Sequence, residues 1–315
     1  MPPFATNAAS RRRSRRSERR ARFAILLTPL VVLLASPAGA FALNINESYK
    51  PQNEFKLDPW IDLGFMSINK AVFYVIVATA LMCWTMVYVA RRMNERPNRV
   101  QTAVETVFLL MRDNITRGNM DTKMAAKWFP FIGALFLFIW FSNMLGYLPL
   151  PTNTEHKVDI FGLQIPSLAL FAATANISVP LTLTLFVWFG YHIEGIRAKG
   201  PVGYLKSWVP AGVEGPAKIP IFFIEVISHF VRLVSLSVRL FANILAGHLL
   251  ILFMGGGLVV LLNLAVGGSV VLGLITGTMA VAFFLFEVGL VATLQAFIFA
   301  TLTAIYLGGA VAEEH

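Results

Sequence analysis

Long uncharged apolar runs alternate with short charged stretches along most of this chain, and that rhythm predicts a set of membrane helices. Ala71 to Ala90 is twenty residues without a charge, enough for one span. Trp128 to Thr154 is a second uncharged run, closing at Pro149 and Pro151. Ser167 to Tyr191 predicts a third, with a kink expected at Pro180. Pro220 to about Phe253 and about Val270 to Leu307 are the last two, separated by Gly255-Gly256-Gly257 and Gly267-Gly268. Between the first two runs, Gln101 to Lys127 mixes polar and apolar residues, and Val104, Val107, Phe108 and Met111 fall at helical spacing. That pattern predicts an amphipathic helix lying on the membrane face. The fold class expected is an all-α polytopic membrane protein of about five membrane helices plus this amphipathic one.

Composition agrees and narrows the function classes. Of 315 residues, 57% are apolar and only 14% charged, with mean hydropathy +0.67. Soluble domains average about 25% charged, so a folded globule of this composition could not wet its own surface. The single Cys83 excludes an intrachain disulfide framework and any cysteine-based zinc or iron–sulfur site. Net charge +9 suggests nucleic acid until its distribution is followed. Residues 1–40 carry eight arginines against Glu18 and supply +7, leaving +2 for the rest, so no nucleic-acid partner is expected. The apolar run Phe23–Ser36 and then Ala38-Gly39-Ala40 complete the layout of a cleaved secretory signal. An uncleaved anchor is the alternative, although fourteen apolar residues broken by Pro29 are short for a span. The organisation expected is a signal peptide over 1–40, an exterior segment over 41–67 and a membrane domain over 68–315.

Lysine and arginine counts orient the spans. Segments 91–127 and 194–218 hold twelve, whereas 41–67, 151–167 and 255–268 hold only Lys50, Lys56 and Lys157. The positive-inside bias places the mature N-terminus outside and the C-terminus in the cytoplasm, as expected in a bacterial plasma membrane rather than an organelle.

Ionisable residues in membrane spans usually mark an ion or substrate path. The last two segments carry Glu225, His229, Arg232, Arg239, His248 and Glu287. For Glu225, His229 and Arg232, near the cytoplasmic end, pairing or snorkelling explains the residues as well as a path does. Arg239 is some twenty residues into its segment, too deep to snorkel easily. On an ideal helix Glu225 lies about 21 Å below Arg239 and about 40° around from it. His248 lies about 13 Å above Arg239 and about 180° around. Asn243, one turn above Arg239, shares its face. An acid toward one side, an imidazole toward the other and a fixed cation between them suit two offset aqueous half-paths separated by a positive barrier.

The run Ser237-Val238-Arg239-Leu240-Phe241-Ala242-Asn243-Ile244-Leu245-Ala246-Gly247-His248 resembles subunit a of the F-type ATP synthase. Two further stretches are similar to that family: Leu294-Gln295-Ala296-Phe297-Ile298-Phe299, and Ser142-Asn143-Met144-Leu145-Gly146-Tyr147-Leu148-Pro149. The resemblance covers about residues 60–315. It implies a membrane stator whose last two helices, long and tilted as a hairpin, face a rotating ring of c subunits. It further implies partnership with peripheral-stalk b subunits and the rest of the F1Fo complex, in a lipid bilayer. By the same resemblance Arg239 is the essential arginine, Asn243 its neighbour and Gln295 the glutamine facing it from the last helix. Glu225 matches the acid of the interior half-channel, with Ser228 and Ser235 as its polar lining. His248 and Glu287 match the exterior half-channel. Glu287 stands eight residues before Gln295, where the family pattern has seven; that is a turn of about 100°, which a bulge near Gly289 or a shifted partner would accommodate. Asn176, where many members carry an acid, receives no role.

Other classes fare worse. The sequence has no H-E-x-x-H, no G-x-S-x-G and no P-loop lysine, so no catalytic site, metal or cofactor is expected in this chain alone. A stand-alone proton-coupled secondary transporter or channel is the alternative function, but transporters commonly show two related halves. Here the ionisable residues cluster in the last third. Met111, Met120 and Met124 read as helix-face residues, and His156 and His192 as solvated or capping groups at span ends.

Overall fold

The computed structural model describes residues 57, 59–62, 67–93, 98–150, 157–160, 163–166, 170–209, 213, 215–257 and 266–312. The expected signal peptide lies outside them. Five described helical stretches are long and apolar enough to cross a membrane. The described residues divide into two compact units, a smaller one within Leu249–Leu285 and a larger one within 57–248 and 286–312.

The larger unit opens with a short antiparallel hairpin, β1 (Pro59–Asp62) against β2 (Ser67–Asn69), with Ile61 opposite Ile68. Helix α1 (Lys70–Arg91) starts where Asn69 accepts from the Val72 N–H at 3.1 Å. Helix α2 (Arg99–Leu109) widens into a π-helical turn, Leu110–Thr116, and ends with Arg117–Asn119. The amphipathic segment therefore stops before Lys127. Asp121 caps a new helix, α3 (Thr122–Gly146), by accepting from Lys123 N–H, so the second span begins and ends earlier than the charge-free run. On the polar side of the π turn, Asp113 bonds Arg112 and Arg117, and the Arg112 bond holds its carboxyl below the usual range.

A second hairpin, β3 (Lys157–Ile160) with β4 (Leu163–Pro166), follows α3. Helix α4 (Ser178–Lys199) begins eleven residues later than the apolar run that predicted it. Asn176 bonds the Ser178 N–H at 2.9 Å, and Pro180 falls in the first turn, where its missing N–H costs nothing. Gly200, at φ 72°, makes the left-handed turn into α5 (Pro201–Lys206). Helix α6 (Lys218–Leu252) continues into a π-helical stretch, Phe253–Gly257. Lys218 to His248 alone is roughly 45 Å long, against an apolar bilayer thickness of about 30 Å, so this helix is built for tilt. The last helix resumes in the larger unit as a π turn, Glu287–Val291, and α8 (Ala292–Val311).

The smaller unit contributes the end of α6 and helix α7 (Val266–Phe286, up to Leu285). Val270, Val271, Leu274, Ile275 and Met279 are exposed on α7.

The core of the larger unit is a spine along α8. Ala292, Ala296, Ala300 and Ala304 recur every fourth residue and are fully buried. Small residues at that spacing let helix backbones approach closely, as is usual between membrane helices. Ile132, Leu135, Phe136 and Ile139 of α3, Val187 and Tyr191 of α4, and Leu236, Leu240 and Ile244 of α6 close around them. A smaller cluster joins α1 to the loop before α4 through Tyr74, Ala78, Leu145 and Phe171. Buried Lys70 sets its ammonium 5.0 Å from the Phe171 ring centre.

Candidate functional site

Helix α6 has two unlike faces. Leu236, Leu240, Ile244, Gly247 and His248 turn into the unit, while Val231, Val234, Ser235, Val238, Arg239 and Asn243 are exposed. Arg239 thus stands on an outward face that is apolar apart from Ser235 and Asn243, at the middle of a span, with no ion-pair partner among the described residues. A guanidinium in that setting is costly without an anion. Gln295 is buried on α8, and among the described residues no hydrogen bond joins it to Arg239.

At the end of α6 farther from Lys218, three helices converge on one carboxyl. Glu287, buried in the π turn, accepts from the Tyr147 hydroxyl at 2.9 Å. The Tyr147 ring packs on the His248 imidazole with centres 4.7 Å apart. His248 does not bond Glu287: its Nδ1 faces Ile244 O at 2.9 Å and its Nε2 faces Gly146 O at 3.0 Å. A neutral imidazole has one N–H to donate, so these two carbonyls compete for it. Tyr147 is therefore the bridge between imidazole and acid. Burial, with Glu287 beside it, pushes its phenol well above the ordinary range and keeps it a donor. Gly247 makes room for the acid, since a Cβ there would come within 2.5 Å of the Glu287 carboxyl. Behind this group buried Asn143 donates to Ala292 O at 3.4 Å and accepts from the Thr174 hydroxyl at 2.7 Å.

The π turn accounts for the odd spacing. Ala292 N–H bonds Glu287 O, five residues back, where an α-helix would close on four. The wide turn, which contains Gly289, absorbs one residue. Glu287 and Gln295 are then phased as if seven apart, about 20° from a common face instead of about 80°.

At the other end, Glu225 accepts from Arg232 at 3.0 Å, and His229 Nε2 stands 3.7 Å from the same carboxyl oxygen. Ser228 is half-buried beside them, and Ser235 lies on the face of Arg239. Trp188 donates to His229 O at 3.2 Å, and Tyr191 pairs its hydroxyl with His229 Nδ1 at 3.0 Å. The structure therefore gathers Glu225 with His229 and Arg232, and gathers Glu287 with Tyr147 and Gly247 next to His248. Among the described residues Arg239 stands between them without an ion-pair partner. Among the described residues no group of three or more His, Cys, Asp or Glu is arranged to hold a metal. Tyr147 and Gly247 received no role from the sequence; both sit inside recognised stretches, and that placement was the available signal.

A family model for the ATP synthase A chain matches residues 72–308. The chain is 35% identical over 244 residues to an ATP synthase subunit a of Rubrobacter xylanophilus, covering 77% of this chain and 83% of that one. It is 32% identical over 271 residues to the subunit a of Parvibaculum lavamentivorans, covering 84% and 94%. With the subunit a of Helicobacter pylori it shares 34% over 247 residues, covering 77% and 89%.

Proposed function

Because this chain belongs to the ATP synthase A chain family, we propose that Arg239 is the electrostatic gate between two proton half-channels that meet a rotating ring of c subunits. As a subunit a, the chain is the multi-pass membrane stator of the F-type ATP synthase, works within the F1Fo complex and couples proton flow to ATP synthesis. The family match leaves the stand-alone transporter reading without support. The finer assignments are the proposal: the c ring lies against the outward face of α6, peripheral-stalk b subunits hold the stator, the mature N-terminus is exterior and the C-terminus cytoplasmic. No ATP chemistry is assigned to this chain.

The observation that carries the reading is a guanidinium in the middle of a span, on an outward face otherwise uncharged there, with no ion-pair partner among the described residues. A carboxylic acid on the ring stays protonated while it faces lipid, because desolvation disfavours its charged form. Brought within about 4 Å of Arg239, at an effective dielectric near 20, its anion gains roughly 4 kcal/mol. That is about a thousand-fold in acidity, enough to release the proton into one half-channel. The same fixed charge repels a proton crossing directly. Glu287, Tyr147 and His248 form the exterior half-channel in this reading, and Glu225 with Ser228 and Ser235 the interior one. Asn243 and Gln295 are polar neighbours of the gate.

Vesicles holding equal amounts of assembled complex provide the test. Arg239→Ala should abolish ATP-driven pumping and raise passive proton permeability. Arg239→Lys should also fail, because an ammonium in a partly dry site can lose its proton and lacks the planar fork. Near-normal coupled pumping by Arg239→Ala would overturn the mechanism.

A further inference from the structure

Two imidazoles, buried His229 and half-buried His192, sit toward the Lys218 end of α6 in similar surroundings. His229 of α6 and His192 of α4 have ring centres 4.8 Å apart. Each engages a tyrosine hydroxyl through Nδ1: His229 with Tyr191 at 3.0 Å, His192 with Tyr204 of α5 at 2.8 Å. Among the described residues each leaves its Nε2 buried without a hydrogen-bond partner. His229 is 95% removed from solvent, being 5% exposed. Buried polar atoms of this kind are uncommon and call for a reason. Here one of the two, His229 Nε2, is 3.7 Å from Glu225 Oε1. Trp188 and Trp208 pack on the His192 ring at 4.2 and 5.9 Å, and Trp208 also packs on the His229 ring at 4.5 Å. Packing alone would be served by phenylalanine, without two stranded nitrogens.

We infer that His229 and His192 are a proton relay beyond Glu225, exchanging the Glu225 proton with the cytoplasmic side of the interior half-channel. The inference rests on the reading of Glu225 as the acid of that half-channel. In the resting form each ring is neutral, with Nδ1–H donated to its tyrosine oxygen and the Nε2 lone pair free. Protonated Glu225 gives its proton to His229 Nε2, leaving a carboxylate and an imidazolium. A small side-chain swing or one water closes the 3.7 Å gap. The imidazolium next passes its Nε2 proton to the free Nε2 lone pair of neutral His192, whose ring centre is 4.8 Å away, so His229 returns to its Nδ1–H form. His192 then releases that proton to cytoplasmic water, and only one ring is charged at a time. The groups that face the pair set the balance. Glu225 and Arg232 come from α6, with Arg232 already bonded to Glu225 at 3.0 Å. Tyr191 lies on α4 and Tyr204 on α5, while Tyr306 of α8 has its ring 6.0 Å from that of Tyr191. The Arg232 guanidinium, 5.7 Å from the Tyr306 ring centre, opposes charge on the rings, and the Glu225 carboxylate favours it. Outside the span, burial raises the Tyr204 phenol above its ordinary range and keeps it protonated.

Inverted vesicles of the assembled complex expose the cytoplasmic face to the buffer, so ATP-driven pumping can be followed against outer pH. The wild-type profile should show an inflection that both His229→Gln and His192→Gln flatten, with pumping at least about ten-fold lower on the alkaline limb. Wild-type rates and profile in both variants would overturn the relay, as would a loss that is uniform at every pH with the profile unchanged. Should His229→Gln assemble poorly, His192→Gln on the less buried ring gives the same reading. Glu225→Gln separates the two levels of inference. If it pumps normally, the reading of Glu225 fails; if it is impaired while the histidine variants behave as wild type, only the relay fails.

Discussion

Gly247 and Tyr147 both bear on the Glu287 carboxyl, and they should respond to substitution in different ways. A methyl group at 247 would meet the far end of a flexible side chain, which can swing aside. Swinging, however, carries the carboxyl away from the Tyr147 hydroxyl that now holds it at 2.9 Å. Gly247→Ala should therefore leave the complex assembled while slowing proton entry. Tyr147→Phe removes the donor itself; a hydrogen bond to a charged group contributes about 1.5–3 kcal/mol, so pumping should drop by up to about 100-fold. Pumping rates normalised to assembled complex check both, and wild-type rates in both would remove Tyr147 and Gly247 from the path. Neither residue could have been assigned from spacing. Tyr147 meets Glu287 across 140 sequence positions and His248 Nε2 meets Gly146 O across 102, so only the folded helices bring them together.

Among elements, α8 depends on a row of small residues: Ala292, Ala296, Ala300, Ala304 and then Gly308 continue one stripe at four-residue spacing. Gly308 packs against the backbone carbonyl of Asn119, and a Cβ there would collide with it. A carbonyl fixed at the end of α2 cannot rotate away as a side chain can. Gly308→Ala should cost about 1–3 kcal/mol, seen as a lower temperature for loss of subunit a from the complex. Gly309→Ala, whose Cβ would enter open space, is the matched control and should be neutral. Equal melting of the two would contradict the close approach. Helix ends, by contrast, were only partly legible. The uncharged run predicted a second span over 128–154, yet the Asp121 cap starts the helix at Thr122, within what hydropathy assigns to the amphipathic segment. Caps act through one side chain and one N–H, a signal that an average over twenty residues dilutes.

Over the whole molecule, five spans and a mid-span arginine were legible because membrane insertion depends on long apolar runs and sparse charge. The sequence also singled out the ionisable residues that the proposal assigns to the two half-channels. Their partners were legible only where a helix repeat sets the distance, as for Glu225 with His229, four residues apart. The ion pair of buried Glu194 with Lys127 and Arg197, at 2.7 and 3.2 Å, ties the start of α3 to the end of α4 and went unsuspected. Topology carries its own prediction. The arginine block, the Phe23–Ser36 core and Ala38-Gly39-Ala40 lead to the expectation that the mature subunit begins at Phe41. N-terminal sequencing of membrane-extracted subunit decides it, and a chain retaining residues 1–40 would replace the cleaved signal with an anchor.

The π turn at Glu287–Val291 also bears on how this helix tolerates changes in length. It holds one residue more than an α-helix needs to carry Glu287 from one turn to the next, and five-residue closure is what keeps that surplus from rotating Glu287 away from Gln295. Most single-residue deletions inside a membrane helix scramble every face beyond the cut. Here a deletion of exposed Gly289 should instead let the ladder revert to four-residue closure with Glu287 still on its present bearing. The shortened subunit should assemble and pump, whereas removing one residue a turn or two farther along, at Phe297, should silence it. A segment that looks like an irregularity thus acts as a spare link, by which a chain can gain or lose a residue without losing its phase.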